Sequence, residues 1–320
     1  MRVPAKVNLQ LSVGPPRRDG FHELVTVFHA VSLYDEVTVT PADRGRVTVT
    51  GEGSGSMPGD DDNLAMRAAA ALAKAAGLPP RRGPRVVPDD SADGNGRPGV
   101  AIEIRKRIPV AAGLAGGSAD AAAALVACNE LWQAGLSQQE LAEVAAGIGS
   151  DVAFALFGGT SVGQGRGERL TPALVTGQYH WVLAFSAGEL LTPEVYRTCD
   201  RIRESRGVTA APPRPSAELL AALRSGDPAE VGPLLSNELQ PAAVSMRPEL
   251  RRTLAVGREY GALGAIVSGS GPTCAFLAVD AQRAVDLVIA LTGAGVCRSA
   301  TRVVGPAQGA MVVSPSEVGR

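Results

Sequence analysis

Apolar Val7, Leu9, Leu11 and Val13 alternate with polar Lys6, Asn8, Gln10 and Ser12, the two-residue period of a half-buried strand. The same period predicts strands over 24–33, 36–40 and 46–50. It returns where Val100, Ile102 and Ile104 alternate with Ala101, Glu103 and Arg105. Then the period changes. Ala121, Leu125, Cys128 and Trp132 recur at helical spacing, which predicts a helix with one buried face and Ser118 placed to cap it. Asp62 or Asn63 can cap an earlier helix over 64–76 that Gly77 ends. Ser137 and Glu140 have capping-box spacing for a helix through Ala146, and Ser150 can cap a short helix holding Asp151 and Phe154.

Gly158, Gly159, Gly163, Gly165 and Gly167 interrupt the pattern, and the Pro-, Gly- and charge-rich stretch 79–99 reads as a mobile surface insertion. Beyond them, strands are expected over 181–186, 263–268, 273–279 and 298–304, with helices over 193–206 and 281–291 and others up to about Tyr260. That order resembles a split βαβ domain. A chain of 320 residues is long enough for two such units.

Composition narrows the class. With 45% hydrophobic and 20% charged residues and a formal net charge of −1, no global field draws in nucleic acid or an anionic membrane. At 4% aromatic content there are few platforms for stacking single-stranded bases. An anionic ligand must therefore be held locally. Cys128, Cys199, Cys274 and Cys297 are far apart with no CxxC pair, which argues against structural zinc and fits thiols kept reduced in a cytoplasm. Lys6, Asn8 and Gln10 break every apolar run near the N-terminus, so no secretory signal is expected, and no stretch is long enough to span a bilayer.

The candidate chemistry sits at 109–120, PVAAGLAGGSAD, between the strand and the alanine-rich helix. A helix start offers unpaired N–H groups and a positive dipole end, while Gly113, Gly116 and Gly117 let a backbone approach a phosphate chain closely. No Gly-Lys-Ser/Thr follows and the spacing is not GxGxxG, so this is neither a Walker A loop nor a dinucleotide fingerprint. A tight strand-to-helix turn of small residues is the plainer alternative.

Three segments in order resemble the GHMP small-molecule kinases: PAKVNLQL at 4–11, PVAAGLAGGSA at 109–119 and VSGSGPT at 267–273. Within that family, KVNL at 6–9, DGFHEL at 19–24, GSDVAF at 149–154 and LLTPEVY at 190–196 resemble the branch that acts on a cytidine diphosphate derivative of methylerythritol. The resemblance implies an α+β, two-domain GHMP kinase fold. Residues 1–160 would form an S5-like, β-rich ATP-binding domain and 161–320 a ferredoxin-like, substrate-side domain. It implies ATP as co-substrate, Mg²⁺ as cofactor and phosphorylation of the tertiary 2-hydroxyl of that small molecule in isoprenoid precursor synthesis, with no nucleic-acid or membrane partner.

Residue by residue, the resemblance makes Lys6 and Asp151 the catalytic pair, with Asp151 orienting the hydroxyl and taking its proton late while Lys6 neutralises charge. Alone, Lys6 reads as a solvent-facing strand residue and Asp151 as a helix N-terminal charge. ATP would lie along Pro109, Val110, Ala111, Ala112, Gly113, Leu114, Ala115, Gly116, Gly117, Ser118 and Ala119, with Asn63 and Lys106 at the adenine, partly through backbone groups. Asn8 would touch the acceptor, Phe21 and Tyr196 would sandwich the cytosine, His22 would read its edge and Thr192 would contact substrate as well as cap a helix. Phe21 and Ala153 stand where the family pattern has tyrosine and proline, and the loop carries Ala111, Ala112 and Ala115 where relatives often have glycine.

Ser118 could ligate Mg²⁺ through its hydroxyl; Glu140 reads as a capping residue, and no carboxylate ligand is assigned. Ser268, Gly269, Ser270 and Gly271 could form a second anion nest or merely a hairpin turn. His29 and His180 read as structural. A relative acting on homoserine, mevalonate or a sugar, and a non-catalytic ATP and metabolite sensor, are the rival readings.

Overall fold

In the computed structural model, which describes residues 1–56, 62–78 and 99–313, the alternating runs of the first half pair into one sheet. Its elements are β1 (Arg2–Pro16), β2 (His22–Ala42), β3 (Arg46–Gly51), α1 (Leu64–Ala75), β4 (Gly99–Lys106), α2 (Gly116–Leu131), α3 (Gln138–Ile148), α4 (Ser150–Phe157), β5 (Thr160–Gly165) and β6 (Arg169–Pro172). The second half follows with β7 (Tyr179–Phe185), α5 (Thr192–Ser205), α6 (Ala217–Ser225), α7 (Pro228–Val231), β8 (Ser236–Asn237), α8 (Gln240–Met246), α9 (Glu249–Glu259), β9 (Gly264–Val267), β10 (Cys274–Ala278), α10 (Ala281–Gly293) and β11 (Ser299–Gly305). Of the insertion expected at 79–99, all but Gly99 lies outside the described residues.

The first sheet runs β3-β4-β2-β1-β8, and the β5–β6 hairpin joins β2 beyond the end of β4. The strands expected at 24–33 and 36–40 are one, because Tyr34 and Asp35 stay in register with Pro4 and Val3 and the Asp35 carboxylate is neutralised inside the protein. The glycines of 158–167 do not end regular structure. A Cβ at Gly163 would lie 2.8 Å from the Phe28 ring, so glycine is what lets β5 close against β2. This sheet therefore continues to Pro172, past the division expected at residue 160.

Helix α2 lies against β1 and β2 on one side and α1, α3 and α4 on the others. Its alanines 121–124 are all fully buried, so it is enclosed all round and not along a single face. It starts at Gly116 after left-handed Ala115, which puts Ser118 within the first turn and not at the cap. Likewise α4 follows extended Gly149, and Ser150 is its first helical residue. The capping box of Ser137 and Glu140 forms as expected.

The second sheet, β11-β7-β10-β9, is antiparallel throughout and has the expected split βαβ order. Tyr179, Trp181 and Leu183 of β7 join the core beneath the first sheet, while Val182 and Ala184 face a second core with Leu250, Leu254 and Leu287. Two buried faces explain the unbroken apolar run WVLAF. Strand β1 spans both cores, Val7 and Leu9 in the first and Leu11 and Val13 in the second, with a register shift between Asn8 and Gln10. All four cysteines are unpaired, and among the described residues no helix is long and apolar enough to cross a membrane.

Candidate active site

The two glycine-rich runs meet in space. Ala111, Gly113 and Ala115 have φ of 50°, 78° and 60°, so the loop before α2 winds through the left-handed region three times. Gly113 has no alternative: besides its φ, a Cβ there would overlap the Ser268 carbonyl. The Gly113 carbonyl accepts from Ser268 Oγ at 3.1 Å and from Lys6 Nζ at 3.0 Å. Behind this contact, Asn237 Nδ2 donates to the carbonyls of Val267 and Gly269, both at 2.7 Å, and fixes the second run. Ala112, Leu114 and Ala119 bury their side chains, so they can offer a ligand only backbone. Ser118 is half-buried and has no hydrogen-bond partner among the described residues. A cavity of about 170 Å³ lies beside the loop, with Pro109, Val110 and Ala112 on one wall and Pro272 and Thr273 on another.

Lys6 and Asp151 come together at the same place. Lys6 Nζ is 3.9 Å from Asp151 Oδ2 and donates to Asn8 Oδ1 at 2.6 Å. The polar face of β1 is therefore turned into the protein, with Lys6 only 6% exposed. Burial pulls the Lys6 ammonium below its ordinary range, and Asp151 opposes that shift. Asn8 is itself held by donating to Thr26 Oγ1 at 2.8 Å. Asp151, in the first turn of α4, keeps about a third of its side chain open to solvent (32%).

The expected adenine contacts differ in kind. Asn63 caps α1, its Oδ1 accepting from Ala65 N at 2.9 Å, and its Nδ2 is buried without a partner. Lys106 turns its side chain inward. Its Nζ donates to Asp35 Oδ2 at 2.5 Å and Asp120 Oδ2 at 2.7 Å, all three groups fully enclosed, which leaves a ligand only the Lys106 backbone. Burial opposes the Lys106 charge, but the two carboxylates outweigh it and hold the ammonium above its usual value. Burial also pushes Asp120 up to about 8.

At the far end of the cleft, His22 begins β2 and its ring lies 5.0 Å from that of Tyr196 on α5. Burial raises the Tyr196 hydroxyl, with the charge of Asp151 adding to the shift. Phe21 is 52% exposed, with the Arg166 guanidinium 5.1 Å from its ring centre. Thr192 does not cap α5; it is the first helical residue, and its hydroxyl pairs with Ser270 Oγ at 2.9 Å. The chain thus brings β1, the loop before α2, the start of α4 and the 267–273 run to one point, with the aromatic groups of 21–22 and α5 alongside.

The family model described as "GHMP kinases N terminal domain" matches residues 63–159, and that described as "GHMP kinases C terminal" matches 219–295. A 4-diphosphocytidyl-2-C-methyl-D-erythritol kinase of Mycolicibacterium gilvum is 53% identical over 100% of this chain and 94% of its own length. The chain belongs to the GHMP kinases. Another relative of the same name, from Nocardia farcinica, is 52% identical over 98% of this chain and 96% of its own. A crystal structure of 4-(cytidine 5'-diphospho)-2C-methyl-D-erythritol kinase superposes with a TM-score of 0.73 at 34% identity, covering 96% of this chain and all (100%) of that one. A homoserine kinase structure from Cytophaga hutchinsonii shares the fold, with a TM-score of 0.68 at 19% identity, covering 97% of this chain and 94% of that one.

This GHMP kinase also carries site residues that pattern reading did not single out. Asp200 lies 3.1 Å from His22 Nε2 through both carboxylate oxygens. Its position one helical turn after Tyr196 was a usable signal, since such residues share a helix face. Asp120 had a signal as well, being a charge inside an alanine-rich stretch. Nothing local marks Asn237 or Arg166, whose roles arise only from distant strands coming together.

Proposed function

We propose that this protein transfers the γ-phosphate of ATP to the 2-hydroxyl of 4-diphosphocytidyl-2-C-methyl-D-erythritol. The observation that carries the reading is the approach of Lys6 Nζ to Asp151 Oδ2, 3.9 Å, beside the loop at Gly113. That separation is too long for a hydrogen bond and suits an acceptor oxygen touching both groups. The hydroxyl attacks phosphorus as the bond to ADP breaks, and Asp151 takes the released proton late, since a loose transition state asks chiefly for positioning and charge neutralisation. Lys6, anchored by Asn8 and the Gly113 carbonyl, sets its ammonium against the attacking oxygen and the γ-phosphate.

The backbone from Pro109 to Ala119 cradles the phosphates, and the orphaned Asn63 Nδ2 offers a donor to adenine. Phe21 and Tyr196 hold the cytosine, His22 reads its edge and Thr192 approaches the same substrate. The residues fit Mg²⁺ carried in on ATP: Ser118 Oγ is a hard oxygen donor free of other bonds, and among the described residues no cluster of acidic, His or Cys side chains forms a cage of its own. When bound, the ion would offset phosphate charge. The proposed setting of the reaction is the cytoplasm, where thiols such as those of the four cysteines stay reduced.

The test is ADP release with different acceptors and with D151N. Turnover on the cytidylyl compound is expected to fall by about 10²- to 10⁴-fold in the variant while ATP affinity changes little. Turnover of the parent enzyme on homoserine or mevalonate, but not on the cytidylyl compound, would overturn the substrate assignment. An active D151N would remove Asp151 as the base.

A further inference from the structure

We infer that Asp200 is a positioning residue that sets which ring nitrogen of His22 carries hydrogen, and thereby makes the site choose an amino-pyrimidine over a keto-pyrimidine base. The inference rests on the reading above and deepens it at the base end of the site. His22 is 8% exposed, at the very start of β2, and its ring is held from two directions by one helix. Tyr196 packs at 5.0 Å from the imidazole centre, and Asp200, four residues on, places Oδ1 and Oδ2 each 3.1 Å from Nε2.

A carboxylate only accepts hydrogen bonds, so Nε2 must be the nitrogen that donates. In a neutral ring, Nδ1 then carries the lone pair. Nδ1 has no partner among the described residues and is not enclosed, so it is free to meet a ligand. An acceptor at that point matches the exocyclic amino group of cytosine and opposes the carbonyl oxygen that uracil presents at the same ring position. The opposite tautomer would invert that preference. Asp200 reaches neither the base nor the reacting atoms; it acts through His22, as the outer partner of a ligating imidazole does elsewhere.

Two measurements test this. The first is side-chain ¹⁵N NMR of His22 in the wild-type protein at pH 7.5, which needs no substrate. Protonated Nε2 with unprotonated Nδ1 is expected; a proton on Nδ1, in either the other tautomer or the imidazolium, would overturn the inference.

The second compares kcat/KM for the cytidylyl substrate with that for its uridylyl counterpart in wild type, D200A and D200N. The preference for cytidylyl is expected to fall at least about tenfold in D200A, chiefly through KM with kcat held within about threefold, because removing one directional contact weakens base choice without touching the phosphoryl transfer. D200N, whose carboxamide oxygen can still accept from Nε2, is expected to recover most of the preference. An unchanged ratio in D200A would sink the inference alone. Absence of wild-type turnover on the cytidylyl compound would instead sink the functional reading and base choice with it, while the nitrogen shifts still decide the tautomer.

Discussion

Lys106 shows how a single side chain can be spoken for. Its ammonium is enclosed between Asp35 and Asp120, and Asp35 also accepts from the backbone N–H groups of Arg107 and Ile108 at 2.6 and 2.9 Å. The group ties β2, β4 and α2 together beneath the loop. K106M would leave the buried Asp35 and Asp120 carboxyl groups without the cation between them and is expected to lower stability by about 3–5 kcal/mol, read from the urea midpoint. Asp120 titrates with a definite sign. Its folded value near 8 lies above the unfolded carboxylate value of about 4, so its contribution is full in acid and is lost as pH rises through about 8. In D120N that slope should vanish, so stability of the variant relative to wild type should rise between pH 5 and 9. A slope unchanged by D120N would show that Asp120 is ionised across that range. The family resemblance put Lys106 at the adenine, partly through backbone groups. It could not show that two carboxylates from other elements claim the side chain first.

Among elements, the loop before α2 depends on the loop between β9 and β10. Gly113 has φ of 78° and no room for a methyl against Ser268. G113A is expected to raise the KM for ATP by at least about tenfold while leaving the far-ultraviolet spectrum of the folded protein, since a displacement near 1 Å at a positioning loop has effects of that order. An unchanged KM would mean that the loop does not hold the nucleotide. Ala111 and Ala115 take left-handed φ with a side chain present, a strain of about 1–2 kcal/mol each. A115G should therefore be close to neutral in urea unfolding, because relief of strain is offset by a freer unfolded chain. Periodicity located most elements within a few residues, including β1, β4, α1, α3 and the second sheet. It missed β5 and β6, since glycine signals a turn locally and close packing only when the neighbouring strand is present. It misplaced the start of α2 for a related reason: Ser118 is a good cap by type, but the left-handed residue that turns the chain is Ala115.

For the whole molecule, His29 sits where the two sheets join. Its Nδ1 meets Thr160 Oγ1 at 2.7 Å, Tyr179 and Trp181 of β7 lie 5.9 Å from its ring, and β11 passes so close that a Cβ on Gly305 would overlap Nε2. Complete burial pushes His29 down to about 3. The unfolded chain binds a proton near 6.5 and the folded one does not, so this contribution is full above about 6.5 and is lost as pH falls toward 3, by up to about 1.4 kcal/mol per pH unit. In H29Q the loss of stability between pH 6.5 and 4.5, relative to wild type, should flatten; an equally steep loss would place the acid sensitivity elsewhere. Spacing and residue type by themselves determined most strands and helices, the split βαβ order of the second half and the glycine-rich loop, while the groups expected at the site came from the resemblance of the motifs to the GHMP kinases. Tertiary structure alone decided that the polar face of β1 looks inward, that Lys106 is engaged and that Asp200 reaches His22. Each of these depends on which distant strand or helix lies opposite, and a linear pattern carries the period of a face but not the name of its neighbour.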